Sequence, residues 1–454
     1  MFRTGMIGLL VLGCSAGNSP GIDGVTWERT DVGTVIRVSW IGDEDVASWV
    51  QFGPASDCDK WSTPAKTGVE REALLLGLPS ATDSCFRVMG EILGESAVEI
   101  IAEDVEEFRT ENLPAGFSAM EVEILDEAMY EDGFFVGSNP RNPAQVYVLD
   151  REGNIVWWRE GEGENLSTQM VLSPDKSFFT YNSFDRDFAV DNSQVIRVGL
   201  DGSELETIKT PNGHHAFAWL PNDVLAYLSI DVRDTEEFGP VVGDTIMIDD
   251  GTGPVPLYST WDDPRILLEE HRQWNDGFYP QGIDWTHANY LSYSEERNSI
   301  TISFATAEAV VEIDASTGEH LRSVGQDGTH SIEPGLLGRP HAGYWTDEGT
   351  LMVFTTPLWD GGKSSIGIEL DFDDQAMNAE VIWEYGYDLR YFTMVMGETT
   401  RLPNGNVLMN FGSKGIVEEV TPEGEPVWRI YTATGTFPGH WSFVKSLYSS
   451  VESQ

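Results

Sequence analysis

The sequence predicts an all-β protein: a six-bladed β-propeller of four-stranded sheets, preceded by a small β-sandwich. Three observations predict it. A strand–turn–strand unit recurs over residues 118–450, with turn glycines Gly153, Gly202, Gly251, Gly318 and Gly424 spaced 49, 49, 67 and 106 residues apart. A second kind of hairpin lies between successive copies. Residues 22–114 show the period-two alternation of strands without taking part in the repeat.

The N-terminal segment divides into strands by alternation and by β-branched and aromatic content. Val35–Trp40 and Trp49–Gly53 read as strands, and Leu74–Leu78 leads through Pro79 into a strand at Cys85–Val88. Phe108–Pro114 closes the segment. This resembles a fibronectin type III module, in which a Tyr usually follows the Leu-Gly-Leu-Pro corner; Cys85 stands near that place. The resemblance implies a spacer or binding platform and no catalysis.

In the repeat, Val146–Trp157 and Ile416–Trp428 are the clearest copies. Val195–Ile208, Asp244–Tyr258, Val310–Val324 and Ile366–Trp383 make six. The 106-residue gap holds one copy without its glycine, so it is two units of 53. The intervening hairpins are represented by His215–Asp223, His341–Gly349 and Arg401–Met409, the last with an Asn404-Gly405 turn. Two hairpins per unit of roughly 50 residues give four strands per blade, and closing the ring removes the exposed sheet edges. The sixth inner strand is expected from the C-terminus, Gly439–Tyr448. The longer 67-residue interval places an insertion near Trp261–Pro280, a candidate loop or lid over one face.

The N-terminus carries one basic residue, Arg3, a short apolar run Thr4–Leu12, and Gly13-Cys14. This fits a secretory signal over residues 1–13, the run being too short for a membrane span. Val11-Leu12-Gly13-Cys14 resembles a bacterial lipobox. The resemblance implies lipidation of Cys14, a tether over residues 14–21, and, with Ser15 next, the outer membrane. The expected location is therefore the cell envelope, with membrane contact through the lipid alone. Lipidation of Cys14 leaves Cys58 and Cys85 as a pair in an oxidising compartment, where a disulfide is expected. With 27 Lys+Arg against 75 Asp+Glu, the net charge of −48 repels nucleic acid.

Only eight histidines occur. Alignment of the first strand of each unit gives one slot a few residues before the first turn. It holds Ser167, His215, His287, His341, Gly397 and, if the C-terminus closes the ring, His440. Inner strands line a propeller's central channel, so these His would converge. His214 is expected on the other face of its strand, and His271, His320 and His330 on surface loops. A ring of imidazoles can bind a transition metal, supply a nucleophile and a general base, or hold an anion when protonated. Asp284 and Glu398 stand near slots, so a divalent metal stays open, and the metal ligands are unknown. No zinc spacing, phosphate cradle or serine elbow is present, and no cofactor is expected.

Asp284-Trp285-Thr286-His287-Ala288-Asn289 resembles a stretch of the arylsulfotransferase family, exported six-bladed propellers. Arg339–Phe354, Arg401–Leu408 and Lys445–Tyr448 are similar to that family as well, so the resemblance extends over residues 118–450. It implies transfer of a sulfuryl group from a phenolic sulfate to a phenol, without a nucleotide donor, through a transiently sulfurylated histidine. His287 and His341 are then the sulfuryl-site histidines, with Arg339, Trp285 and Asn289 as candidate substrate-binding residues. Two positions depart from the family. Lys363 is the cation where the family has an Arg, and Gly397 stands where the covalent His is expected, leaving that part to His215 or His440. A non-catalytic surface binder and a His-ring metalloenzyme are the alternatives.

Overall fold

The computed structural model describes residues 21–449 apart from 45, 94–97, 119, 142, 162, 186–190, 267–277, 326, 360, 394 and 433–436. Cys14, the signal segment, nearly all of the tether and His271 lie outside the described residues. Among the described residues the strands pair antiparallel apart from one short parallel pairing and three isolated parallel bridges.

The N-terminal strands form a sandwich. Ile22–Arg29, Ile36–Gly42 and Glu70–Leu75 make one sheet; Trp61–Ser62, Val46–Pro54, Asp83–Leu93 and Val98–Ala102 make the other, with Glu106–Arg109 also paired to Asp83–Leu93. Alternation decides the facing: Ile36, Val38 and Trp40 point inward against Val50, Phe52, Phe86 and Val88. A disulfide joins Cys58 to Cys85, with Cα atoms 5.5 Å apart.

Six further sheets form the blades. Blade 1 contains Phe134–Asn139, Gln145–Leu149 and Ile155–Glu160, and its inner strand is C-terminal, Trp441–Val444, as the sequence predicts. Blade 2 runs from Met170–Leu172 to Glu204–Lys209, and blade 3 from Gly213–Leu220 to Val255–Ser259. Blade 4 spans Ala288–Ser294 to His320–Gly325, blade 5 His341–Trp345 to Asn378–Tyr385, and blade 6 Glu398–Arg401 to Pro426–Tyr431. The sequence does not announce a second closure, in which Glu121–Ile124 adds a fifth strand to the outer edge of blade 6. The first and last strands of the propeller segment therefore fasten blades 6 and 1. Gly153 and Gly424 lie at φ +82° and +85°, the left-handed turn geometry that the repeat glycines serve.

A strand between neighbouring blades is covered on both faces. Ser299–Phe304 is buried at every residue, unlike the alternating strands of the sandwich. Where blade 1 meets blade 6, the buried Arg151 pairs with Glu419, and its guanidinium lies 4.0 Å from the Trp428 ring centroid. The sandwich packs on blades 1 and 2: Val32, Val35 and Leu76 share a core with Val136, Trp157 and Val198. The Tyr448 hydroxyl, 2.8 Å from both, donates to the Leu74 carbonyl and accepts from the Leu76 N–H.

Candidate active site

The first strands of blades 3, 4 and 5 lie side by side, and each is broken by a bulge. Beside the break one residue adopts left-handed geometry: His215 at φ 46°, His287 at 51° and Ala342 at 50°. Such bulges re-aim side chains. They also revise the slot read from the sequence. His341 stands one place before the left-handed residue, in step with His214 and Thr286 and not with His215 and His287. His214 and His215 do not part to opposite faces either. Their Nδ1 atoms are 2.9 Å apart, because the turn at His215 undoes the alternation.

The histidines are brought together. The His215 and His287 rings meet edge to face with centroids 5.2 Å apart. His341 and His440 are close enough for their charge to bear on His215. His287 Nδ1 lies 2.5 Å from Asp284 Oδ2, and His214 Nε2 lies 3.1 Å from Asp244 Oδ1. The second oxygen of Asp244 accepts from Thr286 Oγ1 and the Ala288 N–H. Asp284 sits in a short strand, Ile283–Asp284, that runs parallel to Val241–Val242 of blade 3. Neither Asp244 nor His214 belongs to a motif that sequence reasoning singled out for the site. The signal was the repeated His at 214 and 215, which period-two logic separated.

Their electrostatics differ. Burial lowers His215 well below the ordinary imidazole range, and neighbouring imidazoles lower it further. Burial brings His341 down to about 4 and His440 to about 3. Burial also opposes the charge on His287, but Asp284 and then Asp244 outweigh it and raise its pKa. Burial raises the Glu398 carboxyl to about 8. Glu398 accepts from the Trp441 N–H at 2.8 Å and stands 3.8 Å from His440 Nδ1, and the Tyr290 ring lies on His440 at 4.6 Å.

The other candidates separate. Arg339 is half-buried, its carbonyl is 3.2 Å from His341 Nδ1, and its charge reaches His287 and His341. Lys363 is exposed and lines a different cavity of about 250 Å³ with Ser364, Tyr387, Asp388 and Arg390. Trp285 is buried in the core against Trp261. Asn289 is buried and donates to the Pro340 carbonyl at 3.0 Å, tying blade 4 to the approach to blade 5. Gly397 has no room for a side chain, since a Cβ there would strike the Phe354 ring. His320 and His330 are not loop-surface residues: His320 opens a strand with Nδ1 2.7 Å from Asp263, and His330 is buried with Nε2 3.0 Å from Asp374. The end of the insertion reaches the site, with Phe278 4.5 Å from the His287 ring and Tyr279 6.2 Å from His214. Among the described residues no group of three or more His, Cys, Asp or Glu is arranged to hold a metal ion.

Fold and site together define a β-propeller with histidines from the inner strands of successive blades gathered beside buried carboxylates. Residues 121–324 match the arylsulfotransferase (ASST) family model, which bears out the resemblance read at Asp284–Asn289. That segment holds His214, His215, Asp244, Asp284 and His287; Arg339, His341 and His440 follow it. No curated protein matches the chain. Among solved structures, a protein of unknown function from Bacteroides caccae is 12% identical, with 70% of this chain and 100% of that one covered, at a TM-score of 0.46. The periplasmic gluconolactonase of Pseudomonas aeruginosa is 13% identical, with 69% and 99% covered and a TM-score of 0.40.

Proposed function

We propose that this protein transfers a sulfuryl group from a phenolic sulfate ester to a phenolic acceptor, outside the cytoplasm and tethered through a lipid on Cys14. The observation that carries the reading is the contact of His287 with Asp284, which favours a proton on this imidazole while burial disfavours one on His215, His341 and His440. Cleavage of an aryl sulfate builds negative charge on the phenolic oxygen and leaves it on the sulfuryl oxygens. A proton donor and fixed cations must therefore converge on the same point. His287 supplies the proton, Arg339 supplies the charge for the sulfuryl oxygens with His341 lining the same site, and Phe278 and Tyr279 offer aromatic surface to the phenyl ring. Arg339 takes the cationic part for which the sequence offered Lys363. The ASST family match favours this chemistry over a binding propeller or a metalloenzyme.

The test follows p-nitrophenolate release from p-nitrophenyl sulfate, with and without a phenol acceptor, in wild type, His287→Ala and His341→Ala, together with a metal assay. Acceptor-dependent release, lost in both variants and indifferent to chelator, supports the reading. No release over a panel of aryl sulfates ends it. Release that chelator abolishes moves the case to a metalloenzyme.

A further inference from the structure

We propose that His215 Nε2 accepts the sulfuryl group, made nucleophilic by a buried relay of Asp244 and His214 behind it. The assignment rests on the sulfuryl-transfer reading and says which atom becomes covalently modified. Three features carry it. The His214 side chain is fully buried and Asp244 nearly so, whereas His215 is partly exposed beside His287. His214 Nε2 lies 3.1 Å from Asp244 Oδ1. The carboxylate favours the Nε2–H tautomer of His214, because a lone pair there would face it and an N–H is attracted to it. His214 Nδ1 is then the lone pair that accepts the Nδ1–H of His215 at 2.9 Å. That leaves Nε2 of His215 without a proton. Burial keeps the free ring neutral and therefore nucleophilic.

The rival imidazoles lack one part or another. His341 is held by the Arg339 carbonyl and also presents Nε2, but among the described residues no carboxylate bears on its charge. His440 is buried beneath Tyr290, near Glu398. Sulfurylation makes a ring cationic, and among the described residues His215 is the one whose ring meets a second imidazole that itself meets a carboxylate.

The step balances without a further reactant. The Nε2 lone pair of His215 forms the N–S bond as the S–O bond to the aryl oxygen breaks, and the departing oxygen takes the proton of His287. In the second half the acceptor phenol returns a proton to His287 and attacks sulfur. The N–S bond breaks and its electron pair goes back to Nε2.

The experiment mixes purified protein with excess p-nitrophenyl sulfate and no acceptor, quenches in alkali, and maps peptides by mass. The expected result is a stoichiometric burst of p-nitrophenolate and a gain of one SO3 on the peptide carrying His215. His215→Ala abolishes the burst. Asp244→Asn and His214→Gln slow it by roughly a hundredfold or more, on the pattern of a carboxylate that orients a catalytic imidazole. Asp244→Asn also moves the alkaline limb of the burst rate, because Asp244 raises His287, whereas His214→Gln moves the acid limb set by His215, which a purely structural change leaves in place; thermal melts check that each variant folds. An SO3 on His341 or His440, or a burst that survives His215→Ala, overturns the assignment while leaving sulfuryl transfer standing. Wild type without burst or turnover on any aryl sulfate overturns both.

Discussion

His215 and His287 meet edge to face at 5.2 Å and are held in opposite protonation preferences. Burial and neighbouring imidazoles drive His215 well below 6.5, while Asp284 and Asp244 overcome burial and raise His287. Groups pushed apart in this way divide the acid and base parts between them.

The pH dependence follows from that pair. His215 must be neutral, so kcat/KM falls only on strong acidification. His287 must hold its proton, so the alkaline limb lies above 6.5. Asp284→Asn removes the group that raises His287 and lets burial dominate. The alkaline limb then moves to lower pH while the acid limb stays. A kcat/KM profile for p-nitrophenyl sulfate in both proteins checks it.

Arg339 is the cation whose charge reaches both His287 and His341. Arg339→Gln is expected to lower kcat/KM by on the order of a hundredfold, the scale of losing one donor to a developing charge. Arg339→Lys recovers part of the loss, since a lysine keeps the charge without the bidentate fork. Lys363→Gln leaves the rate within about threefold of wild type.

Glu398 has a folded pKa of about 8 against 4.5 for the free group. The folded protein keeps a proton that the unfolded chain releases, so stability falls as pH rises through that window. His341 at about 4 and His440 at about 3 act in the other sense, and their contribution is lost as pH falls below 6.5. In Glu398→Gln the alkaline decline in Tm between pH 5 and 8 is expected to flatten, with the acid decline unchanged. Melting curves across that range measure both.

The Arg151–Glu419 pair joins blades 1 and 6 with almost no exposure on either side. Arg151→Ala strands a buried carboxylate and opens the aromatic stack of Tyr130, Phe135 and Trp428. The expected cost is roughly 3–5 kcal/mol, whereas the double change to apolar residues is milder. Denaturant unfolding of the single and double variants gives the comparison.

Much of this protein was legible in one dimension. Strand period, turn glycines and the spacing of His215, His287 and His341 require only local preferences and a repeat, and these announce blades and the residues that converge. The closing strand at Trp441 was legible because the repeat was one strand short. The added strand at Glu121–Ile124 was not, since four residues at a sheet edge carry little pattern of their own. Lys363 looked like the site cation by its distance along the chain from His341. In space it is Arg339 whose charge bears on His287 and His341.

What the sequence determined by itself is the all-β ring, the sandwich before it, and the family to which the Asp284–Asn289 motif points. Only the tertiary structure decided where the histidines point and what they touch. Period-two alternation sends His214 and His215 to opposite faces, and a left-handed residue at the bulge overrides it. The bulge is stabilised by contacts with the neighbouring blades, among them the Thr168 hydroxyl and the Asn182 amide, both donating to the His215 carbonyl. Asp244 becomes the partner of His214 only through that packing, 30 residues further along the chain.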